Sequence, residues 1–237
     1  MTGTGKDQAS WTMADWEDRL LGEPAPAVFT GADLGGLAEP VRRHLARAIA
    51  PGTPLARCAR LTMRGSIMVG RWLPFRAHQV LSPHQGFVWT ARVAGVIAGS
   101  DHYLDGAGGM DWKLAGLVTV AHADGPDVSR SAAGRGAAEA VWLPTAMLPR
   151  FGVRWSAHDD THITARYHLG ATPIDVHYSP KGISAVRSPA TTFGGLTIPS
   201  AGRLGWHFGT DRWPTGEFFR YEITELQLLS KNDGRVP

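Results

Sequence analysis

From Ala59 to Val69 the chain alternates between apolar and polar side chains with a period of two residues. Leu61, Met63 and Ile67 take apolar positions, while arginine, threonine and serine fill most of the positions between them. This alternation is typical of a β-strand with one buried face and one solvated face. It predicts a strand that begins at Ala59.

Short apolar segments of the same kind recur along most of the chain, between turns rich in Gly, Pro and Ser. No alternation of strands and helices typical of a parallel sheet is present, which argues against a Rossmann or TIM fold. We expect a mostly β (α+β) protein, in which a single curved antiparallel sheet, half-barrel or barrel of about ten strands wraps a few helices. The further strands are predicted at about 72–81, 86–95, 96–104, 110–120, 153–158, 161–169, 173–179, 182–187, 202–208 and 217–229.

Helical periodicity is limited to three segments. Trp11–Leu21 reads as a short amphipathic helix, and Pro40–Ile49 has proline in its first turn, where proline is favoured. A third helix is predicted at about 127–142. The helices therefore flank and interrupt a chain that is otherwise made of strands.

The composition is that of a soluble globular protein. The chain has 237 residues, of which 43% are hydrophobic and 19% are charged, and this length suits one large domain. We expect residues 11–230 to form a single β-rich domain with N-terminal helices. Residues 1–10 and 231–237 are expected to be tails, the first of them disordered.

Charge, hydropathy and cysteine content exclude several classes of partner and of covalent cross-link. The net charge is only +3 and no run of basic residues occurs, so we expect no nucleic-acid partner. No stretch reaches the roughly 18 apolar residues of a membrane span, and the N-terminus lacks the apolar core of a signal peptide, so we expect a cytoplasmic protein. The single cysteine, Cys58, excludes an intramolecular disulfide. The sequence does not indicate the oligomeric state.

The segment from Arg135 to Pro149 carries the clearest candidate chemistry. Arg135, Glu139 and Trp142 are spaced i, i+4 and i+7, which places them on one face of a helix. In a pocket, Glu139 would act as general acid or base, and Arg135 would set its charge or bind an anionic group. The alternative is a structural ion pair that joins the helix to the sheet.

A second candidate group lies on the predicted strand at 96–104. Asp101 and Tyr103 point to one face and His102 to the other, so Asp101 and His102 cannot form a catalytic pair with each other. Asp101, Tyr103 or, on a late strand, His207 would be a second proton donor or acceptor. The alternatives are that Asp101 holds a hairpin turn and that His207 is structural.

Nine tryptophans suit either an aromatic-lined cavity or an ordinary core with bulky rings. If a cavity is present, its walls are expected to come from large apolar side chains on the predicted strands and on the third helix. These candidates for substrate binding are Trp142, Trp112, Trp206, Trp89, Tyr178 and Met110.

His158, Asp160 and His162 would align on one face of a strand as a set of two histidines and one carboxylate, which some metal sites use. Thr164 and Arg166 continue that face, so a solvated sheet face or a turn is the preferred interpretation. No dinucleotide fingerprint, Gly-x-Ser-x-Gly elbow, Walker loop, His-Glu-x-x-His or EF-hand motif occurs. We therefore predict no metal and no cofactor.

A set of less common residues at fixed spacings covers most of residues 40–226. They are Val41-Arg42-Arg43-His44-Leu45, Arg64-Gly65, Trp72-x-Pro74-Phe75, Phe87-x-Trp89, Asp101-His102-Tyr103-x-x-Gly106-x-Gly108-x-Met110, Leu114-x-Gly116-Leu117, Gly125-Pro126, Arg135-x-x-x-Glu139-x-x-Trp142-x-Pro144-x-Ala146, Trp155, Gly195-x-x-Ile198-Pro199, Trp206 and Arg220-x-x-Ile223-Thr224. This pattern resembles an uncharacterised bacterial domain-of-unknown-function family that is abundant in actinobacteria. The resemblance implies no established activity. Its members also look like curved half-barrel lipid carriers, which implies a similar fold.

This chain departs from that family pattern in one segment. The family usually has a longer stretch, with Pro-Trp-x-Gly and a tyrosine, before its Gly-Leu-x-Ile-Pro turn. Here Arg187-Ser188-Pro189 continues almost directly into Phe193-Gly194-Gly195. One wall of any pocket that the family shares would therefore be shortened or rebuilt at 188–193.

Three functions remain open at this point. The first is a cofactor-independent enzyme that acts on a hydrophobic small molecule, such as a cyclase, isomerase or lyase of bacterial secondary metabolism. The second is a non-catalytic lipid or small-molecule binding or carrier protein, and the third is a scaffold without a cavity. The first two differ in whether Glu139 faces the cavity, and a cavity of roughly 300–1,000 Å³ would exclude the third.

Overall fold

A computed structural model describes residues 11–21, 27–179, 189–207 and 210–230. Its largest element is a meander of consecutive antiparallel strands, each paired with the next. The strands of the meander are β1 (Cys58–Val69), β2 (Arg71–Ser82), β3 (Gly86–Val93), β4 (Ile97–Leu104), β5 (Ala107–Leu114) and β6 (Val118–Ala123).

The last strands of the chain extend this sheet past β1. β12 (Ala201–Gly205) and β13 (Glu217–Leu229) give eight strands in the order β12-β13-β1-β2-β3-β4-β5-β6. The sheet is curved and open, because within the described residues its edge strands β12 and β6 do not pair with each other. The structure is therefore an open curved sheet rather than a closed barrel.

Two smaller sheets, four α-helices and short 3-10 turns, the first at Gly31–Leu34, complete the described structure. None of these helices has the length and apolar character that crossing a membrane requires. The small sheets are β7 (Arg154–Ala157), β8 (Ile163–Leu169) and β9 (Thr172–Tyr178), and β10 (Ala190–Phe193) with β11 (Leu196–Pro199). The helices are α1 (Met13–Leu20), α2 (Glu39–Ala48), α3 (Pro126–Glu139) and α4 (Trp213–Gly216).

Tight turns place the hairpins of the meander at two opposite ends of the sheet. Ala94–Gly95 and Ala115–Gly116 have positive φ at both residues, the backbone that matches the twist of two-residue hairpins. Together with Gly70 they form the turns after β1, β3 and β5, at what we call the lower end of the sheet. The turns at 83–85 and Asp105–Gly106 lie at the opposite, upper end.

The two faces of the large sheet are covered differently. On what we call the outer face, α1 packs Trp16 and Leu20 against a small core that includes Val88. On the other face, called the inner face, α3 and the small sheets cover the main core. Helix α3 approaches closely because Gly136 leaves room: a Cβ there would lie 3.2 Å from both Phe87 and Leu169.

The predicted fold class is confirmed: the protein is mostly β, with a curved antiparallel sheet around a few helices. The predicted helices at Trp11–Leu21 and Pro40–Ile49 correspond to α1 and α2. The third helix ends at Glu139, and the chain continues in short 3-10 turns at Ala140–Trp142, Pro144–Met147 and Pro149–Phe151. Trp142 therefore does not continue the α-helical face of Arg135.

Other boundaries differ from the prediction. The single strand expected at 110–120 is wrong, because the left-handed pair Ala115–Gly116 makes a turn that divides it into β5 and β6. The β10–β11 hairpin was not predicted, and the described strands form three sheets instead of one. The strand predicted at 182–187 and the tails predicted at 1–10 and 231–237 lie outside the described residues.

Candidate functional site

Arg135 lies at the centre of an ionic cluster between α3 and the inner face. Its Nη1 donates to Asp101 Oδ2 at 2.7 Å, and its Nε donates to Glu139 Oε1 at 2.8 Å. Glu139 follows Arg135 by one helical turn, whereas Asp101 comes from β4. The cluster therefore ties the helix to the sheet by a charge-assisted hydrogen bond.

Neutral donors hold the other oxygen of each carboxylate. Trp112 Nε1 donates to Asp101 Oδ1 at 2.9 Å, and Gln79 Nε2 donates to Glu139 Oε2 at 2.6 Å. All four carboxylate oxygens thus accept a hydrogen bond from a side chain. Such complete pairing is what buried charged groups require in a protein interior.

Two aromatic rings complete the surroundings of the arginine. The guanidinium carbon of Arg135 lies 4.9 Å from the ring centre of Phe87 and 5.1 Å from that of Trp89. These distances allow cation–π attraction. The Trp89 ring is itself fixed, since its Nε1 donates to Met63 Sδ at 3.2 Å. The arginine is held by rings as well as by charges.

Burial and charge act in opposite directions on Arg135. Burial alone would lower its pKa, but the charges and hydrogen bonds of Glu139 and Asp101 outweigh burial and hold the pKa above its ordinary value. The Glu139 side chain is only 10% exposed. With both carboxylates ionised, the cluster carries one more negative charge than positive charge. Gln79 Oε1 is buried and has no hydrogen-bond partner in the described part of the chain.

Tyr103 and Trp142 lie in the same core but outside this cluster. The hydroxyl of Tyr103 is 2.8 Å from Thr172 Oγ1, which links β4 to β9. Trp142 packs edge-on against Tyr221, with ring centres 5.4 Å apart. Burial raises the pKa of Tyr221 to about 12, so its hydroxyl stays protonated at neutral pH. These rings form part of the apolar core.

The structure does not bring Tyr178, Trp206 or His207 to the cluster. Tyr178 packs 4.9 Å from the ring of His44, and burial raises the pKa of Tyr178 and lowers that of His44. Trp206 and His207 follow β12 at the lower end, where Trp206 is 70% exposed. Of the predicted site residues, only Arg135, Glu139, Asp101, Trp89 and Trp112 come together around one point.

A groove of about 1470 Å³, which we call the edge groove, lies beside the cluster where β4 and β5 meet α3. Tyr103 and Met110 line it, whereas Asp101, Arg135 and Glu139 do not. Its walls come from α1, β3 to β6, the first turns of α3 and β9. Further lining residues include the largely apolar set Trp11, Trp16, Val88, Ala133, Gly134 and Ile174 and the charged set Asp111, Lys113, Asp124 and Arg130.

The segment around His158 forms a turn. Asp159 Oδ1 accepts hydrogen bonds from the backbone of Thr161 at 2.7 Å and of His162 at 2.8 Å. These bonds, first that of Thr161, lower the pKa of Asp159. No group of three or more His, Cys, Asp or Glu side chains within the described ranges is placed to hold a metal ion.

Sequence reasoning missed two members of the cluster, Gln79 and Phe87. A signal for Gln79 was present, because it occupies an inward position on β2 between Ala77 and Leu81, which are both apolar and buried. A polar residue at an inward position of a strand needs a buried partner. Phe87 carried no such signal, since aromatic residues are common in any core.

The cluster, α3 and strands β1 to β9 all lie in one stretch of the chain. Residues 27–182 match the profile of a family of unknown function, DUF6544. The chain belongs to this family. The predicted membership in an uncharacterised domain family is therefore confirmed, and the DUF6544 region includes Arg135 with all of its partners. Among curated proteins no match is found.

Proposed function

We propose that this DUF6544 protein binds a largely apolar small molecule or lipid in the edge groove, and that the Arg135 cluster is structural. The observation that carries this proposal is the pairing of every carboxylate oxygen in the cluster, together with a groove whose lining does not include the cluster. The protein would hold its ligand without chemical change.

The size and lining of the groove support this proposal. Its volume of about 1470 Å³ exceeds the roughly 300–1,000 Å³ of common ligand sites, so the groove has room for a molecule as large as a lipid. The part-exposed side chains of Trp11, Met110 and Ile174 offer apolar surface for aliphatic or ring systems, beside the buried rings of Trp16 and Tyr103.

The environment of Glu139 also favours binding over catalysis. A general acid or base must reach the proton that it transfers within about 2.6–3.2 Å. Both oxygens of Glu139 instead accept hydrogen bonds, one from Arg135 and the other from Gln79, and the side chain is 10% exposed. A substrate in the edge groove would not contact it without breaking one of these bonds.

Binding can be tested by blocking the groove from α3. Gly134 lines the groove, and a Cβ at this position would have no atom within 4 Å. Gly134→Trp should therefore fill the space without a clash, while Gly134→Ala is the matched control. We expect cis-parinaric acid to gain fluorescence with the wild-type protein and with Gly134→Ala, and to lose at least tenfold in affinity with Gly134→Trp. Equal affinity for all three proteins would place binding elsewhere, and no binding would reject the proposal.

A second candidate is the cofactor-independent cyclase, isomerase or lyase in which Glu139 transfers a proton. It is favoured by two features of the cluster: the excess of negative charge and the buried Gln79 Oε1 without a described partner. In that case Gln79 would rearrange when the substrate enters, and Glu139 would become available.

Extraction of co-purifying compounds separates the two candidates. The wild-type protein and Glu139→Gln would be purified from the same host and analysed by native mass spectrometry and organic extraction. A binding protein should carry the same compound in both forms. An enzyme should carry a different compound in the variant, because its substrate is no longer converted.

A further inference from the structure

A row of arginines crosses the outer face of the sheet. The strand register places Arg64 directly opposite Arg76, and Arg76 directly opposite Arg92. The same row continues through Ala98 on β4 to Lys113 on β5. We call Arg64, Arg76 and Arg92 the arginine row. Like charges directly opposite each other destabilise a sheet, so such a row is unexpected in a surface that serves the fold alone.

The arginine row is poorly compensated. Glu222, opposite Arg64 on β13, accepts from Arg64 Nε at 2.8 Å, and this pairing holds the pKa of Arg64 above its usual value. Within the described ranges, Arg92 donates only to the carbonyl of Gly95, at 3.3 Å. Arg76 makes no ion pair or side-chain hydrogen bond with the residues that the structure describes. Among the described residues, the row of three guanidinium groups thus has one paired carboxylate, that of Glu222, which lies opposite Arg64.

The arginine row borders a shallow groove of about 750 Å³. Arg220, from β13, also lines this groove, but its charge is paired with Glu217, and its guanidinium carbon lies 4.1 Å from the ring centre of Trp72. Guanidinium groups bind phosphate and carboxylate oxygens through paired hydrogen bonds. Several of them around one groove make a surface that attracts anions.

Exposed apolar side chains lie at the lower end of the same sheet. Val69, Val96 and Leu117, at the three lower turns, are 53%, 52% and 86% exposed. Arg92 and Lys113 each precede their turn by two residues, so these two cations lie within roughly 7 Å of the turns that carry Val96 and Leu117, at about 3.3 Å per residue. Arg64 and Arg76 lie six residues from Gly70, so Arg92 is the member of the arginine row nearest to the apolar turns.

The upper end does not share this character. Its turns, at 83–85 and Asp105–Gly106, contain none of the exposed large apolar residues in the described part of the chain. Exposed apolar side chains next to cations are typical of proteins that lie on membranes, with cations at the lipid headgroups and apolar groups in the interface. A nucleic acid or a soluble phosphate compound would use the arginines but not the apolar turns.

We propose that the lower end and the arginine row dock this protein onto the surface of a membrane that contains anionic lipids. The guanidinium groups bind lipid phosphates, and Val69, Val96 and Leu117 enter the interface. This docking does not depend on what the edge groove holds. It requires no membrane-spanning helix.

Vesicle binding tests the proposal directly. The protein would be sedimented with vesicles of phosphatidylcholine alone or of phosphatidylcholine mixed with phosphatidylglycerol. We expect binding to the mixed vesicles only. The double variant Arg76→Gln/Arg92→Gln should reduce binding about 30-fold, given the usual contribution of a cation near an anionic surface. Val69→Ser/Leu117→Ser should also weaken binding, with less dependence on salt.

A control variant must show whether vesicle binding depends on the position of the arginines or only on the net charge of the protein. Arg42→Gln/Arg47→Gln removes the same charge from α2, which contributes no residue to the groove beside the arginine row, and should leave vesicle binding unchanged. Thermal unfolding of each variant would show that it folds. Equal binding to both vesicles, or equal losses in the two arginine variants, would overturn the proposal. So would tight binding of a short DNA duplex that the serine variant leaves unaffected, since the partner would then be a polyanion.

Discussion

On the inner face of the sheet Arg135 lies between two carboxylates and two aromatic rings, whereas on the outer face Arg76 lies between two other arginines. Both are arginines near the middle of ordered elements. The first has its charge compensated within the chain, and the second does not. The difference separates a residue that holds the fold together from one whose charge remains available to a partner.

The difference in exposure to solvent explains why Arg135 is paired and the arginine row is not. A charge in the interior is costly unless it is paired and hydrogen-bonded, so Arg135 needs Asp101 and Glu139. On the outer face water and salt screen the repulsion between neighbouring arginines. The arginine row therefore costs less stability than an unpaired charge in the interior would, and sequences that carry it can still fold.

The largest effect should come from removing the inner arginine. Arg135→Met leaves the buried Glu139 and the part-buried Asp101 without their counter-ion, and we expect a loss of about 3 kcal/mol in the free energy of unfolding. Urea denaturation would measure it. The control is Arg166→Met, which breaks a half-exposed pair with Asp175 and should cost less than about 1 kcal/mol. Similar losses in the two variants would contradict the distinction between the two kinds of arginine.

A smaller loss of folding stability should appear at low pH, and it should come from Glu217, whose charge is paired with arginines at the lower end. Glu217 pairs with Arg203 and Arg220, and the hydrogen bond from Arg203 is the main reason that its pKa is lowered from 4.5 to about 2, against the opposing effect of burial. Because the folded pKa lies below the unfolded value, the stabilisation is complete above 4.5 and is lost as the pH falls toward 2.

Allowing for solvent around the two half-exposed arginines, we expect the wild-type protein to lose roughly 1–2 kcal/mol more than Glu217→Gln across that pH range. Urea denaturation at several pH values would show the difference. Parallel stability curves for the two proteins would mean that Glu217 does not titrate with the predicted shift. The result would show whether an exposed arginine contributes to the free energy of unfolding when it is paired with a carboxylate.

Local periodicity was enough to predict the fold class. It also predicted part of the inner cluster. Alternation identified β1, and helical spacing placed Arg135 and Glu139 on one face. It did not predict the turn at Ala115–Gly116, because alanine rarely adopts a positive φ and does not mark a turn by itself. Nor could it show that Asp101 would reach Arg135, since that contact depends on how helix and sheet pack.

The arginine row could not be found by searching for basic runs. Its members are separated by more than ten residues along the chain, and only the antiparallel register brings them side by side. Residues equally distant from a hairpin turn become neighbours across two strands, as Arg64 and Arg76 do around Gly70. In a meander, charge patterns have to be read across turns as well as along the sequence.

The smallest effect, and the most informative about the arginine row, should come from Arg76→Thr. Removing the central charge relieves repulsion from Arg64 and Arg92, and threonine suits a strand, so we expect a gain of about 0.5 kcal/mol in the free energy of unfolding at low salt. The gain should shrink as salt is added, because screening already weakens the repulsion.

Arg64→Thr is the matched comparison, since it also removes an arginine of the row but breaks the pair with Glu222. It should leave stability unchanged or slightly lower. A loss of more than about 1 kcal/mol in Arg76→Thr would show that Arg76 stabilises the fold after all. If stability rises while binding to anionic vesicles falls, the row lowers the stability of the sheet and serves the membrane partner, which is the opposite of what Arg135 does on the inner face.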